Sequence, residues 1–178
     1  MNSAFANIMI IFAHGLEGSP NGSKIQALRN AGFDVNAPDF QGMDLAQRVH
    51  LLLKECEKYS EHRPILAGSS YGGLAAALVA MQMPDSFSGL LLCAPALHLV
   101  EPPVDDTTIL SAPNGLNTVI IHGIEDDIVP ISCSVEYAER SKKEILAFHK
   151  VDDGHRLAQS HNEIIGAAQL LSGETIDS

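Results

Sequence analysis

Short apolar runs alternate along this chain with longer stretches in which apolar residues recur every three or four positions. The runs at residues 8–13, 33–37, 64–68, 89–93, 118–122 and 144–151 have the length of strands. Most carry apolar residues at successive positions, as strands covered on both faces do. Between them, residues 44–59 place Leu45, Val49, Leu52, Leu53 and Cys56 on one helical face. Residues 72–83 predict a helix that Pro84 ends, and its Gly72, Gly73, Ala75, Ala76 and Ala77 let it lie close to a sheet. Further helices are predicted at 132–142 and 157–171. An early one begins at Ser19-Pro20 or at a Ser23…Gln26 capping box and stops at Gly32. The pattern is that of an α/β protein: six strands in a mainly parallel sheet with helices on both faces. Residues 98–117, with Pro102, Pro103, Pro113 and Gly115, read as a loop too short to be a second domain.

Composition narrows the functional classes. A chain of 178 residues, 46% hydrophobic and 19% charged, is expected to form a single domain around one core. Its formal charge of -11, with no run of Lys or Arg, argues against nucleic acid and anionic membrane surfaces as partners, because binding phosphates takes clustered cations. The three cysteines lie far apart without C-x-x-C spacing, so neither a disulfide framework nor a metal site is expected, and a reducing cytoplasm is the expected location. Residues 8–13 are too few to span a bilayer, and no basic segment precedes them.

Ligands of open parallel sheets bind beyond the carboxyl ends of the strands. At those ends stand "HGLEGSP", "GSSYGG", "HGIEDDIVP" and "VDDGHRL", which bring serine, carboxylate and histidine candidates to one edge. Within Gly68-x-Ser70-x-Gly72, glycines two positions either side of Ser70 suit a sharp turn from strand to helix, a nucleophile elbow. Ser69 lacks that symmetry, since Tyr71 stands two residues on, and is expected to face the packed side. A match of this kind arises by chance roughly one time in ten in such a chain, so the other strand ends must support it. His155 follows the last strand and lies beyond the acidic run, which makes it the preferred base, with His161 the fallback. His14 and His122, each before a glycine, are expected to hold loops by hydrogen bonding, and His50 and His62 to be solvated.

Taken together, "HGLEGSPNGSK", "GSSYGG", "CAPAL", "HGIEDDIVP" and "DDGHRL" resemble the small bacterial α/β-hydrolase esterases without a cap domain, the YqiA/YcfP-like serine hydrolases. The likeness runs from residue 14 to residue 157, and the order Ser…Asp…His is that family's. It implies strand order 2-1-3-4-5-6, and there is no room before Ile8 for the first two strands of larger members. The family's G-x-x-D-x-x-V-P places the acid on Asp126, with Asp127 the runner-up and helix N-terminal charge the plainer role for either. It further implies an oxyanion hole from the backbone N–H groups of Tyr71 and Leu16.

The expected activity is hydrolysis of small-acyl esters or thioesters through an acyl-Ser70 intermediate, without metal or organic cofactor. Residues 98–117, including Leu99, Val100 and Pro102, are expected to wall an open acyl site. The competing reading is a binding module that keeps these residues without turnover. A phosphate-binding loop at "GLEGSPNGSK" is excluded by register, since Ser23 separates Gly22 from Lys24. Glu17 is expected to support the adjoining turn or face solvent; directed into the site, it would disfavour anionic acyl groups.

Overall fold

The computed structural model describes residues 7–173. Six strands, β1 (Met9–Ala13), β2 (Asp34–Asn36), β3 (Ile65–Ser69), β4 (Gly89–Cys93), β5 (Thr118–Gly123) and β6 (Ile145–Val151), form one sheet. Its order is β2-β1-β3-β4-β5-β6, and every neighbouring pair is parallel. Among the described residues there are five α-helices: α1 (Ser23–Asn30), α2 (Leu45–Lys58), α3 (Tyr71–Gln82) and α4 (Ile131–Arg140) lie between strands, and α5 (His161–Ser172) follows β6. The expected class and strand order are both present.

Because side chains alternate along a strand, the central strands feed two cores. Ile11, Ala13, Leu66, Leu90, Leu92 and Ile120 pack with α2, α3 and α4. Ile10, Phe12, Ile65, Ala67, Leu91, Val119 and Ile121 pack with α1 and α5 on the opposite face. Helix α3 is apolar all round and buries all but its last two residues, as expected of a helix that carries a site against the sheet centre. Asp44 caps α2 through a reciprocal capping box with Gln47.

Three boundaries differ from the sequence expectation for local reasons. The Ser23…Gln26 box does not form; Gly22 is the N-cap of α1, and Ser23 is already helical. The last helix begins at His161 rather than at residue 157, because Asp153 gathers the preceding turn. Its Oδ2 accepts from Gln159 N at 2.8 Å and Ser160 Oγ at 2.9 Å. Leu157, buried in that turn, takes φ 52°. Helix α4 stops at Arg140, and the following Ser141 Oγ accepts the Ala112 N–H at 2.8 Å, tying the 98–117 segment to the sheet edge.

Candidate active site

The carboxyl end of β3 turns into α3 within two residues, and Ser70 occupies the turn at φ 55° and ψ -119°. A positive φ at a serine costs roughly 1 to 3 kcal/mol and persists only where its surroundings fix it. Here Ser70 N donates to Cys93 O at 2.9 Å, and Ser70 O accepts from Ala96 N at 2.9 Å and Leu74 N at 3.2 Å. The flanking glycines are a steric demand. A Cβ on Gly68 would lie 2.4 Å from Gly72 O, and one on Gly72 would lie 2.1 Å from Ala13 O. Ser69 is buried, in keeping with its expected place on the packed side.

The Ser70 hydroxyl lies 2.9 Å from His155 Nε2, and His155 Nδ1 lies 2.8 Å from Asp126 Oδ2. The three residues come from three different strand ends, 85 and 29 positions apart along the chain. Asp126 Oδ1 accepts the N–H groups of Val129 at 2.8 Å and Ile128 at 3.0 Å, which fixes the carboxylate independently of the histidine. Burial pushes its pKa up, but donation from Val129, His155 and Ile128 reverses this and leaves it below the ordinary 3.8. The carboxylate is therefore an acceptor at neutral pH. His155 Nδ1 carries the proton toward it, and Nε2 is free to accept the serine proton. Asp127, the runner-up acid, is exposed and lies on the pocket wall instead.

A second histidine shares this carboxylate. His122 Nε2 faces Asp126 Oδ2 at 3.1 Å and Val129 O at 3.0 Å, while Nδ1 lies 2.8 Å from Ser134 Oγ. Two acceptors at Nε2 require a proton there, and because burial keeps the ring neutral, Nδ1 is left to accept from the Ser134 hydroxyl. Burial drives its pKa below 6.5, against the pull of Val129 O and Asp126. His122 does hold a loop, as its position suggested, but its contact with Asp126 was not foreseen. Its place four residues before the acid was the available signal.

On the other side of Ser70, the loop after β1 is braced from beneath. His14 Nε2 accepts the Phe40 N–H at 2.9 Å, so its proton sits on Nδ1, which donates to Gly15 O at 2.8 Å. With Nε2 unprotonated, Asp39 at 3.6 Å is not a salt-bridge partner. Arg48 is 1% exposed and donates to His14 O at 2.7 Å and Met43 O at 3.2 Å, with Gly15 O at 3.4 Å. Its guanidinium stacks 4.8 Å from the Tyr71 ring, whose hydroxyl donates to the Glu101 carboxylate at 2.7 Å. The sequence does carry a signal for Arg48, which falls between Leu45 and Leu52 on the apolar face of α2, where a cation is out of place.

These groups open into a pocket of about 850 Å³ lined by Leu16, Glu17, Lys24, Leu99, Ile128 and Arg156 among others. Leu16 and Ile128 are exposed apolar side chains on its wall. Lys24 Nζ donates to Arg156 O at 2.7 Å, clasping the first turn of α1 to the histidine loop. Glu17 is both exposed and part of the wall, so the two expected placements coexist. Of the expected acyl wall only Leu99, beside His98, lines the pocket; Val100 and Pro102 do not. The chain turns away where Glu101 is held by Tyr71 and accepts the Val104 N–H at 2.7 Å, leaving Val100 67% exposed. Among the described residues, no helix is long and apolar enough to cross a membrane, and no cluster of His, Cys, Asp and Glu is placed to hold a metal ion.

The model of the alpha/beta hydrolase family matches residues 10–162. A crystal structure of a protein assigned to the alpha/beta hydrolase superfamily from Xanthomonas campestris pv. campestris is similar, with TM-score 0.78 and 28% identity over 96% of this chain and 100% of that one. Est1E from Butyrivibrio proteoclasticus aligns with TM-score 0.72 and 18% identity over 94% of this chain and 89% of that one. The Paleococcus ferrophilus monoacylglycerol lipase does so with TM-score 0.72 and 18% identity over 96% of each. At 18% identity the likeness speaks for the fold alone. No curated protein matches the sequence.

Proposed function

The chain belongs to the α/β-hydrolase family, and from that premise we propose that it is a serine esterase of small acyl groups acting through a Ser70-His155-Asp126 triad. A fold hosts many activities, so the reading rests on the site. The observation that carries it is the unbroken line Ser70 Oγ, His155 Nε2, His155 Nδ1, Asp126 Oδ2 at 2.9 and 2.8 Å, opening on an 850 Å³ pocket.

His155 Nε2 takes the Ser70 proton as Oγ attacks the ester carbonyl, and Asp126 stabilises the imidazolium that forms. The tetrahedral oxyanion is received by the N–H groups of Tyr71 and Leu16. Tyr71 is the first residue of α3, and its N–H has no acceptor four residues back within the helix. The α3 dipole adds its positive end at the same place. As the carbonyl re-forms, His155 returns the proton to the leaving alkoxide or thiolate, and the acyl group stays on Ser70. Water, deprotonated by His155, then attacks the acyl carbon, and collapse of the second tetrahedral species returns the proton to Ser70 Oγ and releases the acid. No step requires a metal or an organic cofactor. No domain is inserted between β4 and β5, which supports an open site and short acyl chains, as in the small cap-less esterases.

Fluorophosphonate labelling tests the nucleophile: capture at Ser70, abolished in Ser70→Ala and strongly reduced in His155→Ala, is expected. Folded wild type that resists labelling is the behaviour of a binding module and sinks the proposal. A panel of p-nitrophenyl esters and acyl-CoA thioesters then defines the substrate; a marked preference for long acyl chains contradicts the small-acyl assignment.

A further inference from the structure

We infer that the buried Arg48 is a positioning residue for both halves of the oxyanion hole, acting through the Gly15 carbonyl on the Leu16 N–H and through the Tyr71 ring on the start of α3. The inference rests on the hydrolase reading above and extends it to a residue outside the triad.

The geometry of one peptide unit carries the first half. A trans peptide holds its C=O and N–H antiparallel in one plane, so fixing Gly15 O also fixes the direction of the Leu16 N–H. Gly15 O is the target of three groups: His14 Nδ1 at 2.8 Å, Gly18 N at 3.1 Å and Arg48 Nη2 at 3.4 Å. All three belong to the protein, which leaves the Leu16 N–H turned to the opposite side. A Cβ on Gly15 would sit 3.5 Å from Ser70 Cβ and 3.5 Å from Ser69 O, so the residue whose carbonyl is pinned lies directly beside the proposed nucleophile. The stronger Arg48 bond, 2.7 Å to His14 O, pins the peptide immediately before it. Hydrogen bonds in a line polarise one another, so a cation at the carbonyl end makes the N–H end a better donor to a developing anion.

The second half is the stack. The guanidinium carbon lies 4.8 Å from the centre of the Tyr71 ring and 5.6 Å from that of Phe40. Tyr71 cannot swing while Arg48 supports one face and Glu101 holds its hydroxyl. A purely structural arginine at this depth would be expected to pair with a carboxylate, since an unpaired buried charge is costly. Arg48 instead spends its donors on Met43, His14 and Gly15 carbonyls, two of which belong to the loop expected to hold the oxyanion.

The test compares Arg48→Lys and Arg48→Met with wild type on a short-chain p-nitrophenyl ester. The lysine keeps the charge but replaces the planar fork, whose Nε, Nη1 and Nη2 reach three carbonyls, with a single ammonium nitrogen. We expect kcat to fall about 10- to 100-fold in the methionine variant, below the cost of deleting a donor outright. The lysine variant should fall less, with KM within about twofold in both, because the oxyanion forms only in the transition state. The ³¹P resonance of the phosphonylated Ser70 should move in both variants toward its position in the unfolded adduct. Unchanged kcat and an unmoved ³¹P resonance in folded Arg48→Lys overturn the inference even if the methionine variant fails to fold. Wild type that is neither labelled nor active overturns the hydrolase reading itself; active wild type with unaffected variants overturns only the role of Arg48.

Discussion

Two histidines meet one carboxylate in this molecule, and their surroundings assign them different tasks. His155 keeps 19% of its side chain exposed and turns Nε2 to Ser70, whereas His122 is fully buried, with both ring nitrogens committed to protein groups. Both address the same oxygen, Asp126 Oδ2, at 2.8 and 3.1 Å. The difference lies on the far side of each ring. His155 ends on a hydroxyl that can lose its proton to an acceptor; His122 ends on Ser134, a hydroxyl that it needs as a donor. Contact with the acid is therefore common to both rings, and only His155 has a nitrogen turned to Ser70 and the pocket, as the proposed base requires.

Mutation separates the two most sharply. His155→Ala should lower kcat/KM for a short-chain ester by about 10⁴-fold or more. His122→Asn, which can still offer an amide N–H toward Asp126, should cost about tenfold or less. Equal losses would break the distinction. Asp126→Asn touches both rings and should lower kcat about 10⁴-fold, because an amide no longer selects the Nδ1–H tautomer of His155. A loss matching that of His122→Asn alone would place the acid elsewhere, with Asp127 the alternative to test.

Stability probes a different part of the comparison. Gly72→Ala would force its Cβ against the Ala13 and His14 carbonyls and should destabilise by about 1 to 3 kcal/mol in denaturant titration. Wild-type stability would leave the close packing of α3 on β1 unsupported. The pH dependence follows from His122. Its folded pKa lies below 6.5, so between the two values the unfolded chain binds more protons than the native one. Stability from this group is fully present above about pH 6.5 and is lost as pH falls toward the folded value. Asp126, also depressed below its ordinary 3.8, adds a second loss further into acid. The denaturation midpoint of His122→Asn should therefore vary less than that of wild type from pH 6.5 downward; parallel curves would mean His122 does not enter the native state neutral. The smallest change expected is that of Tyr71→Phe. It removes the hydrogen bonds to Glu101 and should cost about 1 kcal/mol of stability, with kcat within a few-fold, because the role proposed for Tyr71 in the reaction belongs to its backbone N–H.

The residues proposed as elbow, acid and base could be picked out from the sequence because each is tied to local chain chemistry. Gly68 and Gly72 mark a turn that excludes Cβ atoms, Asp126 sits at a fixed spacing from Val129-Pro130, and His155 follows the last strand. Arg48 was not legible as part of the site, since what it does depends on the His14 and Gly15 carbonyls, more than thirty residues away. The Asp126 contact of His122 was missed for the opposite reason. It is only four residues long, and a strand-end histidine before a glycine already had a sufficient local explanation.

The hydrophobic pattern by itself determined six strands, their helices and the α/β class, because short continuous apolar runs and 3.6-residue spacing follow from the local backbone and from burial on both sheet faces. The late start of α5 escaped it, because Asp153 holds the turn through side-chain hydrogen bonds that leave no apolar signature. So did the shape of the pocket wall, where Leu99 faces inward while Val100 and Pro102 do not. There Glu101 is held by Tyr71, thirty residues away along the chain, while its backbone oxygen accepts the Val104 N–H. Only the folded sheet brings such partners together, and it is at that distance that a candidate triad gains its walls and its supports.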